Sequence, residues 1–492
     1  MFRTLRISAR RFGVLAAAGA LGFVMSVPTA QANVALRKVS ADRYTNTTSF
    51  HKTEVEPDTF AFGTTIVSAF QVGRFPDGGA SNVGWATSTD GGTTWTHRFL
   101  PKTTKFAKPK GPYDRDTDPA VGYDATHGHW MIASLGMTDA GPSGVAILVN
   151  VSADGVHWSP PTVVAAATGG ADFDKTWVVC DNGSTLFAGH CYVEWDDFGN
   201  LDQPHVSTST DGGLTWTEAT VPPGVATGGQ PVVQLSTGAV IMPIDDGFEA
   251  SVDSYVSHDG GVTFAGPFGV SPIQRATVPG GVRAPDLPSA EIDGLGRVYL
   301  VWYDCRFRVN CTSNDIVLST SLDGKSWTPP VAIPIDASTS TADHFLAGIG
   351  VDPATSGNTA VLGVTYYFYP TTPCDPTTCQ LSVGFISSSD GGLTWGAPVQ
   401  LAGPITPTWL PQTGQGYMVG DYSSTSYLGG RAHTVFATAL PGTCQLGQIT
   451  SCKEMMVSPQ VGLFSAGPTT PVRTVVLFHG QTPHSASPMA IR

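Results

Sequence analysis

The sequence predicts an all-β fold made of repeated four-stranded antiparallel sheets, and three observations indicate it. Six near-copies of a short hairpin sequence, each beginning with Ser-x-Asp-Gly and ending in an aromatic residue, recur along the 492 residues. Apolar strands follow one another in the same order between these copies. The chain is 41% hydrophobic but only 13% charged, with 57 glycines and 37 prolines, which is typical of many short strands joined by turns. A repeat of this length predicts one closed array rather than several independent domains.

The six copies are predicted to be tight hairpins. Asp-Gly and Gly-Gly pairs favour the positive φ that such turns need. The aspartate can accept backbone N–H groups within its own turn, and the final Trp or Phe can anchor between neighbouring sheets. We therefore expect structural rather than chemical roles for the six aspartates, which are Asp90, Asp154, Asp211, Asp259, Asp323 and Asp390.

The segment between the fourth and sixth copies shows the pattern of one unit most clearly. Residues 284–292, 297–303, 315–321 and 331–334 predict four strands, with one hairpin copy between the third and the fourth. Four antiparallel strands of this kind form one propeller blade. The segment after the sixth copy has the same pattern without a hairpin copy. It predicts a seventh, degenerate blade that a strand from the other terminus completes, and six blades with the tail packed outside is the alternative.

The predicted domain organisation begins with a secretory signal. Residues 1–32 combine four arginines, an apolar stretch too short to span a bilayer, and the cleavage-like sequence Ala30-Gln31-Ala32. Export by the general or the twin-arginine route is left open. The three regions that follow are an N-terminal extension or closing strand at 33–50, the hairpin-repeat propeller at 51–465, and a C-terminal strand or tail at 466–492.

Charge and cysteine content limit the classes of binding partner and indicate the cellular compartment. A net charge of −13 argues against nucleic acid as a partner. No other segment is apolar enough to insert into a membrane, so we expect a secreted protein. We also expect it to be a monomer. Eight cysteines in close pairs predict local disulfides in an exported chain, and none has the Cys-x-x-Cys spacing of a zinc site. The predicted bridges are Cys180–Cys191, Cys305–Cys311, Cys374–Cys379 and Cys444–Cys452.

No cofactor and no catalytic metal are expected, and a structural calcium ion is left as an open alternative. Asp114, Asp116 and Asp118 alternate as in a calcium loop, but Pro119 and Ala125 stand where an EF-hand needs glycine and glutamate. The sequence therefore excludes an EF-hand while leaving a solitary ion in a loop open.

The six hairpin sequences resemble the Asp-box of the sialidase-type β-propellers, Ser/Thr-x-Asp-x-Gly-x-Thr-Trp/Phe, and they span most of the chain after the signal. The resemblance implies a secreted, carbohydrate-recognising propeller. It also implies a Tyr nucleophile assisted by a Glu, an Asp acid/base, and three arginines that clamp a substrate carboxylate. The chain departs from that pattern at the first family arginine, where Glu56 stands in Val55-Glu56-Pro57-Asp58. Arg74 lies in a similar sequence one strand later.

Strand alternation places the hairpin copies on one face of the disc. The links into the innermost strands and the loops after the second strands then lie on the opposite face, where we expect polar residues around the mouth of the central channel. Ordinary turn formation by Asp and Pro is the competing interpretation. Candidates for acid, base or nucleophile are Glu56, Asp58, Asp118, Asp286, Tyr303 and Tyr422. Candidates for substrate binding are Arg74, Arg115, Asp174, Lys175, Trp177, Arg283, Asp304, Arg306, His344 and Asp421.

Two functions fit this pattern. One is a sialidase-like glycoside hydrolase that recognises and cleaves a glycan at the channel mouth, for which a pair of carboxyl groups must flank the scissile bond. The other is a non-catalytic propeller that binds carbohydrate or protein through the same polar and aromatic rim. The distance between the carboxyl groups would distinguish them.

Overall fold

The computed structural model describes residues 34–445, 447–450, 452–465 and 470–471. The predicted signal at 1–32 and all of the predicted tail except residues 470–471 lie outside these residues. Regular structure in the described part is almost entirely β. The helical segments there are single 3-10 turns, at Phe198–Asn200, Val309–Cys311, Gly357–Thr359 and Pro407–Trp409.

Six consecutive groups of four antiparallel strands make up most of the chain, and within each group the strands pair in chain order. Sheet 1 comprises Glu54–Phe62, Thr65–Arg74, Ala80–Ser88 and Thr96–Phe99. Sheet 2 comprises Arg115–Asp124, His129–Thr138, Ser143–Ser152 and Thr162–Ala166. Sheet 3 comprises Phe173–Cys180, Cys191–Asp197, Gln203–Ser209 and Thr217–Glu218.

The next three groups repeat this order. Sheet 4 comprises Val232–Val233, Val240–Asp245, Ser251–Ser257 and Ala265–Pro272. Sheet 5 comprises Ser289–Ile292, Val298–Asp304, Asp315–Ser321 and Val331–Ala332. Sheet 6 comprises Asp343–Val351, Leu362–Tyr369, Leu381–Ser388 and Val399–Ile405, with the short strand Thr394–Trp395 paired to Thr470–Pro471. The prediction of an all-β fold built from four-stranded antiparallel sheets is confirmed, and it is consistent with a propeller.

The remaining strands bring the two ends of the described chain together. Leu36–Lys38 pairs with Glu454–Pro459, which pairs in turn with Phe436–Ala439. A second small sheet runs in the order Thr425–Leu428, Arg431–Thr434 and Leu463–Phe464, and Gln412–Thr413 pairs with Gly416–Tyr417. Only one residue separates the strand that ends at 434 from the strand that begins at 436, so the two small sheets share an almost continuous strand.

Each hairpin copy connects the third and fourth strands of its sheet and satisfies its own polar groups. In the sixth copy, Ser388 donates to Asp390 at 2.8 Å, and Asp390 accepts the backbone N–H of Thr394 at 2.9 Å and its hydroxyl at 2.5 Å. Trp395 is fully buried, and its indole N–H donates to the carbonyl of Gly392 at 3.1 Å. The copies therefore close turns and pin one aromatic ring each against the core.

The first strands of sheets 1, 2, 3 and 6 carry a β-bulge at the same relative place. Their pairing with the second strand shifts register between Val55 and Asp58, Thr117 and Ala120, Asp174 and Trp177, and Phe345 and Gly348. Each bulge holds one non-glycine residue with positive φ, a conformation that side chains with a Cβ adopt uncommonly. A bulge redirects a side chain out of the regular alternation of a strand. The four residues are Glu56 (φ 55°), Asp118 (φ 47°), Lys175 (φ 42°) and Leu346 (φ 50°).

All four predicted disulfides are present, which confirms the pairing expected from the spacing. Cys180–Cys191 joins the first two strands of sheet 3. The other three bridges close loops that follow the second strand of their units, and each therefore tethers a loop to the strands that flank it. In the part of the chain that is described, no helix has the length and hydropathy needed to cross a membrane.

Candidate functional site

The centre of the candidate site is the ammonium group of Lys175. Its Nζ lies 2.8 Å from Asp421 Oδ2, 3.3 Å from Asp118 Oδ1 and 3.9 Å from Glu56 Oε1. These four side chains come from sheets 1, 2 and 3 and from the segment before Thr425–Leu428, so distant parts of the sequence meet here. Burial lowers the pKa of Lys175, but the surrounding carboxylates outweigh burial and raise that pKa, so the ammonium stays charged.

Asp421 also binds the guanidinium of Arg283 in a two-pronged arrangement. Arg283 Nε donates to Asp421 Oδ1 at 2.6 Å, a terminal nitrogen donates to Asp421 Oδ2, and the other terminal nitrogen donates to Gln415. Burial raises the pKa of Asp421, but Arg283 and Lys175 outweigh it and hold that pKa well below its usual range. Asp421 is therefore a buried, ionised carboxylate.

Glu56 has the opposite electrostatic environment. It is 1% exposed, and its side chain accepts a hydrogen bond from Gln71. Burial raises its pKa well above the usual range, and the nearby carboxylate of Asp118 adds to this effect, while Lys175 opposes it. Glu56 and Asp421 are both neighbours of Lys175, yet their pKa values are driven in opposite directions. Such a separation is characteristic of an acid and an anion with distinct tasks.

Gly420 allows the backbones that carry these two carboxyl groups to approach each other. Its φ is 147°, and a Cβ built on it would lie 2.8 Å from both the Cα and the backbone nitrogen of Glu56. The backbone N–H of Glu56 donates to the carbonyl of Val419 at 3.1 Å. Any larger residue at 420 would therefore push Glu56 and Asp421 apart.

Gln71 connects a second cation to the cluster. Its amide nitrogen donates to Glu56 and, at 2.7 Å, to the hydroxyl of Thr117, while its carbonyl oxygen accepts from Arg74 at 2.9 Å. Arg74 is 4% exposed, and its Nε has no hydrogen-bond partner in the described part of the chain. Burial lowers the pKa of Arg74; Glu56 opposes this effect, and the nearby Arg283 reinforces it.

Two aromatic residues form a wall beside the cluster. The rings of Trp177 and Tyr422 meet edge to face with centroids 5.5 Å apart, and Lys175 Nζ lies 5.4 Å from the centroid of Tyr422. The Tyr422 hydroxyl donates to the carbonyl of Pro119 at 3.0 Å. Burial and the neighbouring carboxylates raise the pKa of Tyr422 well above its usual range. Tyr422 is thus a neutral, engaged phenol.

Asp174 marks where the cluster opens to solvent. It is exposed, its Oδ1 accepts the backbone N–H of Lys175 at 2.9 Å, and it pairs across the sheet with Asp196. The Arg283 side chain is 21% exposed, and Gln415 is exposed beside it. The other charged members of the cluster are buried, so a ligand would first meet these three side chains.

The structure brings together eight of the sequence-derived candidates in this cluster: Glu56, Arg74, Asp118, Asp174, Lys175, Arg283, Asp421 and Tyr422, with Trp177 beside them. It places the others elsewhere. Asp58 accepts the backbone N–H of Val121 at 2.6 Å and so ties sheet 1 to sheet 2. Burial raises the pKa of Asp58 to about 7.

Asp286, Tyr303, Asp304 and Arg306 form a separate group around sheet 5. Asp286 accepts the backbone N–H of Tyr303 at 3.1 Å, and the Tyr303 hydroxyl donates to the carbonyl of Ala284 at 2.6 Å. Arg306 pairs with Asp304, from Nε at 2.9 Å and from a terminal nitrogen at 2.6 Å. These contacts hold a strand end and the following loop, and none of them reaches Lys175.

Arg115 and His344 also lie outside the cluster. Arg115 donates to Asp77 at 2.6 Å and to Asp139 at 2.8 Å, and its guanidinium packs over Phe75. His344 is buried against Tyr366 and Phe368, and burial lowers its pKa. Both residues therefore stabilise local packing.

The described residues give no clear cation site. Asp114 pairs with Lys105 at 3.0 Å and Asp118 contacts Lys175, so the alternating aspartates do not converge on one point. Oxygens of Asp315 and Asp336 and a ring nitrogen of His344 lie within 4.8 Å of one another. Arg308, however, donates to both of these carboxylates at 2.6 Å and supplies the positive charge there.

Three contributors to the cluster were not identified from the sequence. Gln71 and Gln415 are neutral residues on a strand and in a loop, and Gly420 is one of many glycines, so none carried a distinctive signal. A groove of about 840 Å³, lined by residues 200, 201, 203–205, 218–221 and 223–225, lies on the side of sheet 3. It holds the contact of His205 with Glu218 and none of the cluster residues.

Comparison with protein-family models found no match, and neither did comparison with curated proteins. Among solved structures, this chain is similar to an ulvan lyase of a polysaccharide lyase family, with a TM-score of 0.51 and 11% identity over 90% of this chain and 98% of that chain. This chain is also similar to a phage phi92 endosialidase, with a TM-score of 0.48 and 10% identity over 93% of this chain and 72% of that chain. A Trypanosoma rangeli sialidase in complex with the inhibitor DANA has a TM-score of 0.45 and 12% identity over 87% of this chain and 59% of that chain. At such identities, the likeness to the ulvan lyase concerns the fold alone.

Proposed function

We propose that this chain is an exported propeller that binds a glycan at the Lys175 cluster and hydrolyses a glycosidic bond there, with Glu56 as general acid and Asp118 as general base. One observation carries the proposal: ionisable side chains from three sheets and two connecting segments converge on Lys175. Groups so far apart in sequence meet only where inner strands and their links face a common centre. The proposal takes that centre to be the mouth of the propeller channel.

The closure of the ring is part of the proposal. In this proposal a seventh blade has four strands: 425–428, the interrupted strand 431–434 and 436–439, 454–459, and Leu36–Lys38. The fourth strand then comes from the opposite end of the chain, which would hide the edges of the first and last units. Four disulfides in one chain support export to an oxidising compartment.

The chemistry follows from the charge states in the cluster. Glu56 holds its proton because it is buried beside Asp118, so it can donate that proton to the leaving-group oxygen. Asp118 can take a proton from the water that adds to the sugar carbon. Glu56 Oε1 and Asp118 Oδ1 lie 3.9 Å and 3.3 Å from the same nitrogen, so these two oxygens are at most about 7 Å apart. Glycoside hydrolases in which the second carboxylate activates water place the two carboxyl groups about 6.5 to 9.5 Å apart, and the upper bound for Glu56 and Asp118 reaches only the lower end of that range.

Binding without turnover is the second candidate function, and one observation favours it. The Lys175 ammonium lies between Glu56 and Asp118 and occupies space that an attacking water would need. The Tyr422 hydroxyl, engaged by the carbonyl of Pro119, is also not free to act as the nucleophile that the sialidase resemblance implies. A lectin-like propeller would use the same polar floor and the same wall of Trp177 and Tyr422.

The substitution Glu56→Gln separates the two functions. Glu54→Gln is the matched control, because Glu54 is on the same strand, is fully buried and has its pKa raised to about 7 by burial, but accepts from Ser40 and not from Gln71. For a hydrolase, Glu56→Gln should lower turnover of aryl glycosides by about 100-fold or more while glycan binding persists, and Glu54→Gln should leave turnover within about twofold. Binding on a glycan array with no turnover of any glycoside by the natural protein would select the binding function. Absence of both would refute the proposal.

A further inference from the structure

The geometry points to an uncharged sugar, rather than a carboxylated one, as the group that the Lys175 cluster takes. This inference rests on the proposed function and names the substrate class of the same site. It departs from the arginine clamp on a carboxylate that the sialidase resemblance implies. Its basis is that the cations of the cluster are already bound by groups of the protein itself.

Arg283 is the most accessible cation, and its fork is occupied. Recognition of a carboxylate by arginine relies on two parallel N–H groups aimed at the two oxygens. In Arg283 those groups bind Asp421, and the other terminal nitrogen binds Gln415. Asp421 is 1% exposed, so a ligand carboxylate that displaced it would leave a buried charge with one partner fewer. Breaking one side of a buried pair is strongly unfavourable.

The two deeper cations are less accessible. Lys175 donates to Asp421 at 2.8 Å and to Asp118 at 3.3 Å, and Glu56 Oε1 lies 3.9 Å from the same nitrogen. Arg74 donates to Gln71 and is only 4% exposed, although its Nε has no hydrogen-bond partner among the described residues. A carboxylated ligand would reach Lys175 only by displacing one of its carboxylate partners, and it would reach Arg74 only by entering the buried part of the cluster.

The count of charges gives the same result. Glu56, Asp118, Asp174 and Asp421 are four carboxyl groups, and Lys175, Arg74 and Arg283 are three cations. The carboxyl groups outnumber the cations by one, so no positive charge is left over for an anionic ligand. The exposed Asp174 stands at the opening, where an approaching carboxylate would meet like charge.

An uncharged sugar can bind to the polar groups of the cluster that its internal ion pairs leave available. Hydroxyl groups both donate and accept, so they can donate to the exposed Asp174 carboxylate and accept the N–H groups of Arg283 that Asp421 and Gln415 leave unused. The partly buried ring of Trp177 offers an apolar surface for the C–H face of a sugar. These interactions require no internal ion pair to break.

A glycan array that pairs neutral oligosaccharides with their uronic-acid or sialylated counterparts tests this inference on the intact protein. We expect signals on the neutral members at least about tenfold above their acidic counterparts, a difference of about 1.4 kcal/mol. Equal or stronger signals on the acidic members would overturn the inference while leaving glycan binding established. Silence on every glycan would overturn the proposed function, and this inference with it.

The substitution Asp421→Asn provides a gain-of-function arm. It removes one carboxylate and frees the Arg283 fork, so binding of acidic counterparts should rise by about tenfold or more relative to the natural protein. An unchanged preference in folded Asp421→Asn would contradict the inference. If that variant does not fold, a salt titration of the natural protein replaces it. Binding of a neutral ligand should change less than about twofold between low and high salt, because screening acts on charge pairs, and a steep loss would overturn the inference.

Discussion

The aspartates of the six hairpin copies and Asp421 share a side chain and differ in every part of their surroundings. Asp390 bonds with Ser388 and Thr394, members of its own turn. Burial raises the pKa of Asp390, but those hydrogen bonds together outweigh burial and lower that pKa. Asp421 is buried and bonds with Arg283 and Lys175, which are distant in sequence. The difference teaches that repeated residues form the turns that build the sheets, whereas the charged cluster is built from residues that differ between equivalent positions.

The four bulge positions are an example of equivalent positions that carry different residues. Sheets 1, 2, 3 and 6 share the same backbone distortion, yet the residues that it presents are Glu56, Asp118, Lys175 and Leu346. One backbone device therefore supplies an acid, a base candidate, a cation and an apolar side chain. Three of the four meet in the cluster, while Leu346 packs in the hydrophobic core.

The largest expected effect is that of Lys175→Met. Removing the ammonium leaves Asp118 and Asp421 buried without their shared counter-ion, so the free energy of unfolding should fall by about 3 to 5 kcal/mol. The loss should be smaller at pH 5 than at pH 8, because protonation of the carboxyl groups relieves it. Urea denaturation at the two pH values measures both effects.

Lys105→Met is the matched control, because Lys105 contacts Asp114 and Asp139 at the surface, with 41% of its side chain exposed. Its cost should be below about 1 kcal/mol. Equal losses in the free energy of unfolding for Lys175→Met and Lys105→Met would contradict the expectation that the buried cluster contributes more to stability than a surface ion pair.

The pH dependence of stability is the second test, in which carboxyl groups buried on strands should act in the opposite direction to the hairpin aspartates. Burial raises the pKa of Asp116 to about 7 and of Glu194 to about 8. The stability from these groups is fully present below pH 4 and is lost as pH rises through 7 and 8. The free energy of unfolding should therefore fall by about 2 kcal/mol or more between pH 5 and pH 8.

The hairpin aspartates should change the free energy of unfolding with pH in the opposite direction. Hydrogen bonds from Thr94 lower the pKa of Asp90 to about 2, so its contribution is present above pH 4 and is lost as pH falls toward 2. Denaturant titrations across pH 2 to 8 should show a maximum near pH 4 to 5. Glu194→Gln should flatten the alkaline side, and a profile that rises from pH 5 to pH 8 would contradict this assignment.

The smallest effect is expected for a hairpin aspartate. Asp390→Ala removes the acceptor for the backbone N–H and the hydroxyl of Thr394, which should cost about 1 to 2 kcal/mol of stability. Glycan binding should stay within about twofold, because Asp390 makes none of the cluster contacts. Thermal unfolding and the glycan array measure these quantities. A loss of binding in a stably folded variant would show that the hairpin face also contributes to recognition.

Most of the fold could be predicted from the sequence because its signals are local. The turn-forming hairpin copies, the alternation of strands and the close cysteine pairs each depend on residues within one unit. The order of four strands per sheet and all four disulfides followed from them. A closing strand from the N-terminal region was expected, but its pairing with Glu454–Pro459 was not, since no local feature of a three-residue strand identifies its partner.

The candidate site could be predicted in part. Links into inner strands yielded Glu56, Asp118, Lys175 and Asp421, which the structure brings together. The same rule also selected Asp286 and Asp58, whose carboxyl groups bind backbone N–H groups instead. Local sequence does not reveal that a bulge rotates Glu56 and not Asp58 toward the centre. It also does not reveal that Gly420 is needed for close approach.

Leu36–Lys38 pairs with a strand near the opposite end of the chain, and this has a consequence for biosynthesis. A ribosome completes residue 36 long before residue 454, so this sheet can form only after almost all of the polypeptide has emerged. Until then the N-terminal segment must wait unpaired, exposed to proteases and to pairing with another copy. This sheet therefore forms only in chains that have been made at least as far as residue 459.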